Sequence, residues 1–346
     1  MNLAAGLRGG ERQTLLLMAA LADRGWQQRL VTRPDAALAN ALTPADRLTL
    51  SVREASDVFA AARESKDATL VHAHDGRAVY AAALAGWRYR RPYVITRRVM
   101  NPIRRRWTAR YAYRNAAAVV AISSAVANEI RRFDPALEPQ RIPSAYQPEP
   151  LVTGAHEALR ARWQGKFVVG NVAALENDSK GQLTLIRVAR ELRDVHVVLV
   201  GSGRDEAMLR EAASDLDNVE FAGQVDDVDA YLRAFDLFAF PSLREGFGST
   251  LLDAMRLGLA VVAKRTGGIV DIVDDDVTGY LVNRDDDEGF VAAVRLLQRN
   301  ATKREKFGAA ARKRVEQFSP AIMGDAYDAL YRHILKWPEN SRDRIA

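Results

Sequence analysis

Cysteine is absent from all 346 residues. That excludes disulfide frameworks and thiolate metal sites, and it fits a cytoplasmic setting. Long apolar runs are missing too. No stretch approaches the roughly 18 uninterrupted apolar residues of a spanning helix, and no signal-peptide pattern opens the chain. Histidine is scarce: of five, only His72 and His74 are close in sequence, and nothing in their spacing makes a zinc site. Internal repeats and low-complexity tracts are also lacking. What remains is an ordinary globular composition, 48% hydrophobic and 27% charged. The length favours two domains, each with its own core.

The net charge of +6 is unevenly spread. Residues 1–150 carry 23 Lys and Arg against 13 Asp and Glu, whereas the remainder carries 27 against 31. Ten arginines fall between Arg88 and Arg114, including Arg97, Arg98, Arg104, Arg105 and Arg106, interleaved with Trp87, Tyr89, Tyr93, Trp107, Tyr111 and Tyr113. A basic segment with aromatic rings suits an anionic partner such as a phosphorylated glycolipid or an acidic membrane surface. A solvated basic helix face is the plainer alternative. A nucleic-acid module would give salt-sensitive binding to unrelated duplexes, but no recognised binding motif accompanies the charge, and no nucleic-acid partner is expected.

Short apolar runs alternate with amphipathic stretches, the pattern of α/β units on parallel sheets. In the first half, strands are expected at 29–32, 69–73, 93–96, 119–123 and 141–143, with helices at 11–23, 78–87 and 124–133. In the second half, strands are expected at 167–172, 195–200, 219–221, 237–240, 260–263 and 280–282. Helices are expected there at 182–192, 206–214, 228–235, 249–257 and 288–298, with a final one at 320–335. Residues 143–154 are proline-rich and aperiodic, which places a linker between domains 1–150 and 155–319. Residues 320–346 form a terminal segment.

The most informative run is Pro241-Ser242-Leu243-Arg244-Glu245-Gly246-Phe247-Gly248-Ser249-Thr250-Leu251-Leu252-Asp253-Ala254-Met255. An apolar strand enters a glycine-flexed loop that carries one carboxylate, and a helix carries a second carboxylate eight residues later. The glycines let backbone approach a ligand closely. Unsatisfied N–H groups at the helix start near Ser249 and Thr250 can meet a diphosphate. Glu245 and Asp253 can accept hydrogen bonds from hydroxyls. The alternative is a helix-capping pair of carboxylates near a positive helix end.

This run resembles the donor-site signature of retaining GT-B glycosyltransferases of family 4, with aspartate at the second glutamate. Similar to the same family are Gly170-Asn171-Val172 with Lys180-Gly181, the Gly201-Ser202-Gly203 turn, Asn218 to Val225, and Thr266-Gly267-Gly268-Ile269-Val270-Asp271. So is Val71-His72-Ala73-His74-Asp75. The resemblance implies an α/β fold of two Rossmann-like domains with parallel sheets facing a cleft. The first domain would bind the acceptor and the second the nucleotide sugar, with the terminal helix packing back on the first. Glu245, Lys180 and His74 would be catalytic, with His72 structural. Gly9, Gly10, Gly201, Gly203, Val225, Gly246, Phe247, Gly248, Ser249, Thr250 and Asp253 would bind donor. No metal and no cofactor is implied beyond the nucleotide-diphosphate sugar itself.

Two departures from the family stand out. Its arginine is replaced by Ala174, so that Arg244 or Lys264 would have to supply the second cation. Before Gly9-Gly10-Glu11-Arg12 only residues 1–8 stand where the family has its first strand, so a gap in the first sheet is expected. The resemblance and the basic segment together point to an anionic envelope glycolipid acceptor, lipopolysaccharide core first, used by a cytoplasmic enzyme at the inner membrane face. A soluble polysaccharide or small-molecule acceptor is the alternative, as is a non-catalytic nucleotide-sugar-binding relative. A nicotinamide oxidoreductase would need a third glycine after Gly203. The sugar, its carrier and the oligomeric state are not fixed by the sequence.

Overall fold

The computed structural model describes residues 1–6, 9–34, 36–42, 50–148 and 154–337. Part of the expected linker, 149–153, and the last residues of the terminal segment, 338–346, lie outside the described residues. The chain divides into two compact units, one of Met1–Ala145 with Phe318–Ala346 and one of Tyr146–Gln317.

The second unit is a six-stranded sheet paired in parallel throughout. Its strands are β7 (Phe167–Val172), β8 (Val195–Val200), β9 (Val219–Gly223), β10 (Leu237–Phe240), β11 (Val261–Lys264) and β12 (Gly279–Val282), ordered β12-β11-β10-β7-β8-β9. Helices cover both faces, so the central strands read as continuous apolar runs rather than alternating ones. All of β8 and all of β10 are buried. Phe290, Val294, Leu297 and Phe307 from the Asp287–Arg299 and Ala301–Val315 helices pack in the same core as Val197, Leu199 and Leu237. Each such side chain contributes about 1.5–3 kcal/mol on burial.

The first unit has its sheet in two pieces. One pairs β1 (Gln28–Thr32) with β2 (Leu50–Glu54), and the other is ordered β3 (Val71–Ala73), β4 (Tyr93–Arg97), β5 (Ala118–Ala121), β6 (Gln140–Arg141). Residues 1–3 bridge them. Asn2 N donates to Val31 O (3.0 Å), His74 N donates to Met1 O (3.0 Å), and Asn2 Nδ2 reaches Thr14 Oγ1 (3.1 Å). The expected gap is thus spanned at one end of the strands, and a cavity of about 330 Å³ lined by Leu17, Leu30, Thr69, His72 and Tyr331 remains. The Pro320–Leu335 helix belongs to this unit. Its Met323, Tyr327, Leu330 and Tyr331 pack with Leu17 and Leu21 of the Gly9–Ala22 helix and with Val94 and Val120.

Candidate active site

In the second unit, strand order runs outward from β7 through β8 and β9 on one side and from β10 on the other. Adjacent parallel strands whose connections leave in opposite directions open a crevice at their carboxyl ends. The loops after β7 and β10 both emerge there, and they carry Lys180 and Glu245. Lys180 Nζ donates to Glu245 Oε2 at 2.6 Å, with both side chains largely buried. The main chain fixes the same pair of loops, because Leu243 N and Arg244 N both donate to Ser179 O (2.9 and 3.1 Å). The Thr266–Gly268 turn supports the second loop from beneath through Gly268 N to Glu245 O (3.0 Å) and Thr266 Oγ1 to Leu243 O (3.2 Å).

Glycine is required where these loops touch. Gly181 has φ +67°, and a Cβ there would sit 2.3 Å from Pro241 O. A Cβ on Gly203 would sit 2.3 Å from Leu175 O, against which the loop after β8 is pressed. Leu175 N donates to Ser202 O and Ala173 N to Val200 O (both 3.0 Å), so the loops after β7 and β8 form one backbone layer. Val225 follows β9 next to Gln224, whose Oε1 lies 3.4 Å from Ser202 Oγ. Beyond Glu245, Phe247 is buried and Gly248 (φ +92°) opens the Ser249–Arg256 helix, whose Leu251, Leu252, Ala254 and Met255 face the core. The first turn of that helix, Ser249 and Thr250, stays half-exposed.

The remaining charges sort into buried and exposed groups. Lys264 is buried between Asp287 (Oδ1, 2.6 Å) and Thr184 (Oγ1, 3.1 Å), so it is a structural cation and not a substitute for the arginine missing at Ala174. Arg244, by contrast, has a side chain 59% exposed. It approaches Asp178 at 3.3 Å, and Asp178 also accepts from Arg204 at 2.6 Å, which holds the Asp178 carboxyl below its usual range. Two guanidinium groups therefore share one carboxylate beside the Lys180–Glu245 pair. Asp253 Oδ1 accepts from Gln147 N (2.9 Å), so this carboxylate anchors the segment after Ala145.

In the first unit His72 and His74 end β3 with ring centroids 3.9 Å apart. His72 is fully engaged, with Nε2 on Thr96 Oγ1 (2.7 Å) and Nδ1 on Tyr331 Oη (2.5 Å). His74 Nδ1 is buried without a partner. Burial pushes both imidazoles well below 6.5, so both are neutral. Gly9 and Gly10 start the 14-residue Gly9–Ala22 helix.

The basic segment is not one surface. Arg104, Arg105 and Arg106 are exposed beside Trp107 (80% exposed) and Tyr111. Arg97 is half-buried and reaches Tyr113 Oη (3.4 Å), and Arg98 folds into the unit, where its Nε and Nη2 atoms are buried without partners. The sequence reading grouped Arg97 and Arg98 with the exposed patch. Their position at the end of β4, a strand buried along its length until Arg97, is the signal that separates them.

Doubly wound parallel strands with a cation, a carboxylate and close-packed glycine loops at the switch point form a crevice of the kind that holds nucleotide ligands in open α/β sheets. Residues 166–300 match the family described as "Glycosyl transferases group 1" and residues 7–146 match "Glycosyltransferase Family 4". The chain belongs to this group 1, family 4 set of glycosyltransferases. It is 29% identical over 346 residues to the alpha-maltose-1-phosphate synthase of Mycobacterium tuberculosis, with 87% of each chain covered. It is 32% identical over 154 residues to the lipopolysaccharide core biosynthesis glycosyltransferase LpsE of Rhizobium meliloti, covering 43% of this chain and 45% of that one. Its fold matches Anabaena HepE in complex with UDP-glucose at a TM-score of 0.84, with 21% identity and 96% and 98% of the two chains covered. Among the described residues no helix is long and apolar enough to cross a membrane.

Proposed function

We propose that the protein transfers a sugar, with retention of configuration, from a nucleotide-diphosphate sugar to an anionic envelope glycolipid, lipopolysaccharide core foremost. The observation that carries the donor half is the Lys180–Glu245 contact at the switch point. In this contact the two charges neutralise each other. A bound donor separates their tasks: sugar hydroxyls donate to Glu245, and the diphosphate takes Lys180. As the glycosidic bond breaks, charge builds on the leaving diphosphate, and a cation already in place stabilises it without reorganising. Arg244 is the second cation available to it, since Lys264 is committed elsewhere. Backbone of Gly246, Phe247 and Gly248 and the helix start at Ser249 and Thr250 present N–H groups to sugar and phosphate. Gly201, Gly203 and Val225 border ribose and base, and Asp253 reaches ribose if it exchanges its Gln147 contact for a hydroxyl. A Glu245 held by a lysine acts as a hydrogen-bond acceptor rather than a free nucleophile. That agrees with a front-face route in which the departing phosphate helps take the acceptor proton.

The acceptor half rests on Arg104, Arg105 and Arg106 with exposed Trp107 and Tyr111, a cationic, aromatic face suited to the inner membrane surface. A phosphorylated small-molecule acceptor is the second reading, favoured by the likeness to a maltose-1-phosphate synthase along most of both chains. The test is a thermal-shift panel of UDP-, GDP- and ADP-sugars on wild type, Glu245→Ala and Lys180→Ala. At 100 times Kd a ligand specific to the folded form stabilises it by about 2.7 kcal/mol. One carrier should raise Tm, and both variants should reduce that shift. No shift from any carrier in folded protein defeats the proposal.

A further inference from the structure

The sheet face that the terminal helix covers in the first unit carries a chain of side-chain hydrogen bonds. Alternation through β3 puts His72 and the following His74 on one face, and the register with β4 (His72↔Val94) puts Thr96 on that face too. Over it the Pro320–Leu335 helix packs Tyr327 and Tyr331, which lie one turn apart on one side of the helix. Tyr331 Oη meets His72 Nδ1 (2.5 Å), His72 Nε2 meets Thr96 Oγ1 (2.7 Å), and Thr96 Oγ1 meets Tyr327 Oη (2.8 Å). A neutral imidazole donates at one nitrogen and accepts at the other. Tyr331 and Thr96 therefore fix one tautomer of His72 between them, one hydroxyl donating and the other accepting. Tyr331 is itself held. Its ring meets Trp26 edge-on at 5.4 Å, and Trp26 Nε1 donates to Asp328 Oδ1 (2.7 Å) on the same helix.

His74 is built differently. Among the described residues its ring makes no hydrogen bond, and its Nδ1 is buried without a partner, whereas buried polar atoms are normally paired. Contact with its neighbour orients it: the two imidazole centroids are 3.9 Å apart, with the planes tilted by 42°. One histidine is locked at both nitrogens, and the other leans on it with its hydrogen-bonding capacity unused. We propose that Tyr331, Thr96 and Tyr327 are positioning residues for the transfer reaction: through His72 they hold the His74 ring in the orientation in which it meets the substrate. The inference rests on the transferase reading and on His74 as a substrate-facing group. It gives the terminal helix a part in the reaction besides closing the core of its unit, because that helix supplies the phenol that fixes the His72 tautomer.

The experiment measures nucleotide release by the full chain from UDP-, GDP- and ADP-glucose, with water alone and with glucose 1-phosphate as acceptor. Tyr331→Phe and Thr96→Val each remove one hydroxyl. Each should lower kcat about fivefold, the usual worth of one hydrogen bond, with donor KM close to that of wild type. Thr96→Ser keeps the hydroxyl and should restore most of the rate. In a His74→Ala background the same two changes should still lower Tm but leave the residual kcat where it was, which a purely structural role would not do. A fall in kcat that persists without His74, a donor KM that rises along with it, or a kcat unmoved by both variants overturns the proposal. Nitrogen NMR spectra of the histidine rings test the geometry independently of turnover. His72 should lose its single tautomer in Tyr331→Phe, and the His74 resonances should shift with it; His74 resonances that stay in place overturn the positioning role. Absence of turnover by wild type with every donor counts against the transferase reading alone, and the spectra then decide the role of Tyr331.

Discussion

The two units handle charge in opposite ways. Around the crevice of the second unit every prominent cation has a carboxylate: Lys180 has Glu245, Arg204 and Arg244 share Asp178, and Lys264 has Asp287. In the first unit, Arg98 and the two histidines lie together among hydroxyls and, among the described residues, make no ion pair. Paired charges hold loops in position before a ligand arrives and are released to it in exchange. An unpaired buried cation keeps its full capacity for a ligand and costs stability while it waits. The second unit is therefore the preorganised half, and the first unit is the half expected to gain most from ligand.

Targeted variants test this contrast directly. The largest effect is expected from Lys180→Ala, which should lower kcat by about 10²–10³ for loss of one fixed transition-state charge, and Tm should fall as well because Glu245, only 14% exposed, loses its partner; initial rates and melting curves check it. Gly203→Ala comes next. Its methyl would overlap Leu175 O, so the loop layer must shift, and Tm should fall by the equivalent of about 2–3 kcal/mol together with donor binding. Paired variants then separate the two candidate cations. Lys264→Met should cost about 2 kcal/mol of stability, Asp287 being partly solvated, and spare donor affinity, whereas Arg244→Ala should weaken UDP-sugar binding about tenfold and leave Tm in place. The opposite pattern would make Lys264 the ligand-facing group.

The first unit should reveal itself through pH. His72 and His74 have pKa values depressed well below 6.5 by burial, reinforced by Arg98 and the Met1 amine. Thr96, Tyr327 and Tyr331 also face this pair and stay neutral in the same range. Below 6.5 the unfolded chain takes up protons that the folded chain refuses. The histidine contribution is accordingly full above 6.5 and falls as pH drops from there toward the depressed folded values, by up to about 1.4 kcal/mol per pH unit for each histidine, while the Met1 amine, lowered to about 6 by burial, adds a fall of the same sign that begins near pH 8. A Tm profile from pH 8 to 5 that flattens in His74→Gln checks the sign. The smallest effect on the folded protein is expected from Trp107→Ala with Arg105→Gln. Tm should hold, while co-sedimentation with anionic vesicles falls several-fold and wild-type binding weakens with salt.

Much of the fold could be read directly. The runs at 167–172, 195–200 and 237–240 are strands with those bounds because both faces are buried and the apolar pattern is unbroken. The Leu50–Glu54 strand is absent from the sequence reading, since its half-exposed edge position leaves only a weak alternation. The Ala301–Val315 helix is also absent from it. Its charge masks a buried stripe of Phe307, Gly308, Ala311 and Val315, in which the two small residues add little apolar signal but fit closely.

What the sequence determined by itself is local: which runs are apolar enough to be strands, where glycines permit tight loops, and where a helix can begin. Tertiary structure alone decided the pairing of long charged side chains. It buried Lys264 on Asp287 and left Arg244 exposed, turned Arg98 inward while Arg104 to Arg106 stayed out, and set Asp253 on the Gln147 amide. The physical reason is reach. A strand's burial follows from its own alternation, but a guanidinium or ammonium at the end of a flexible stem finds its partner among residues tens or hundreds of positions away, and only the folded chain brings those together.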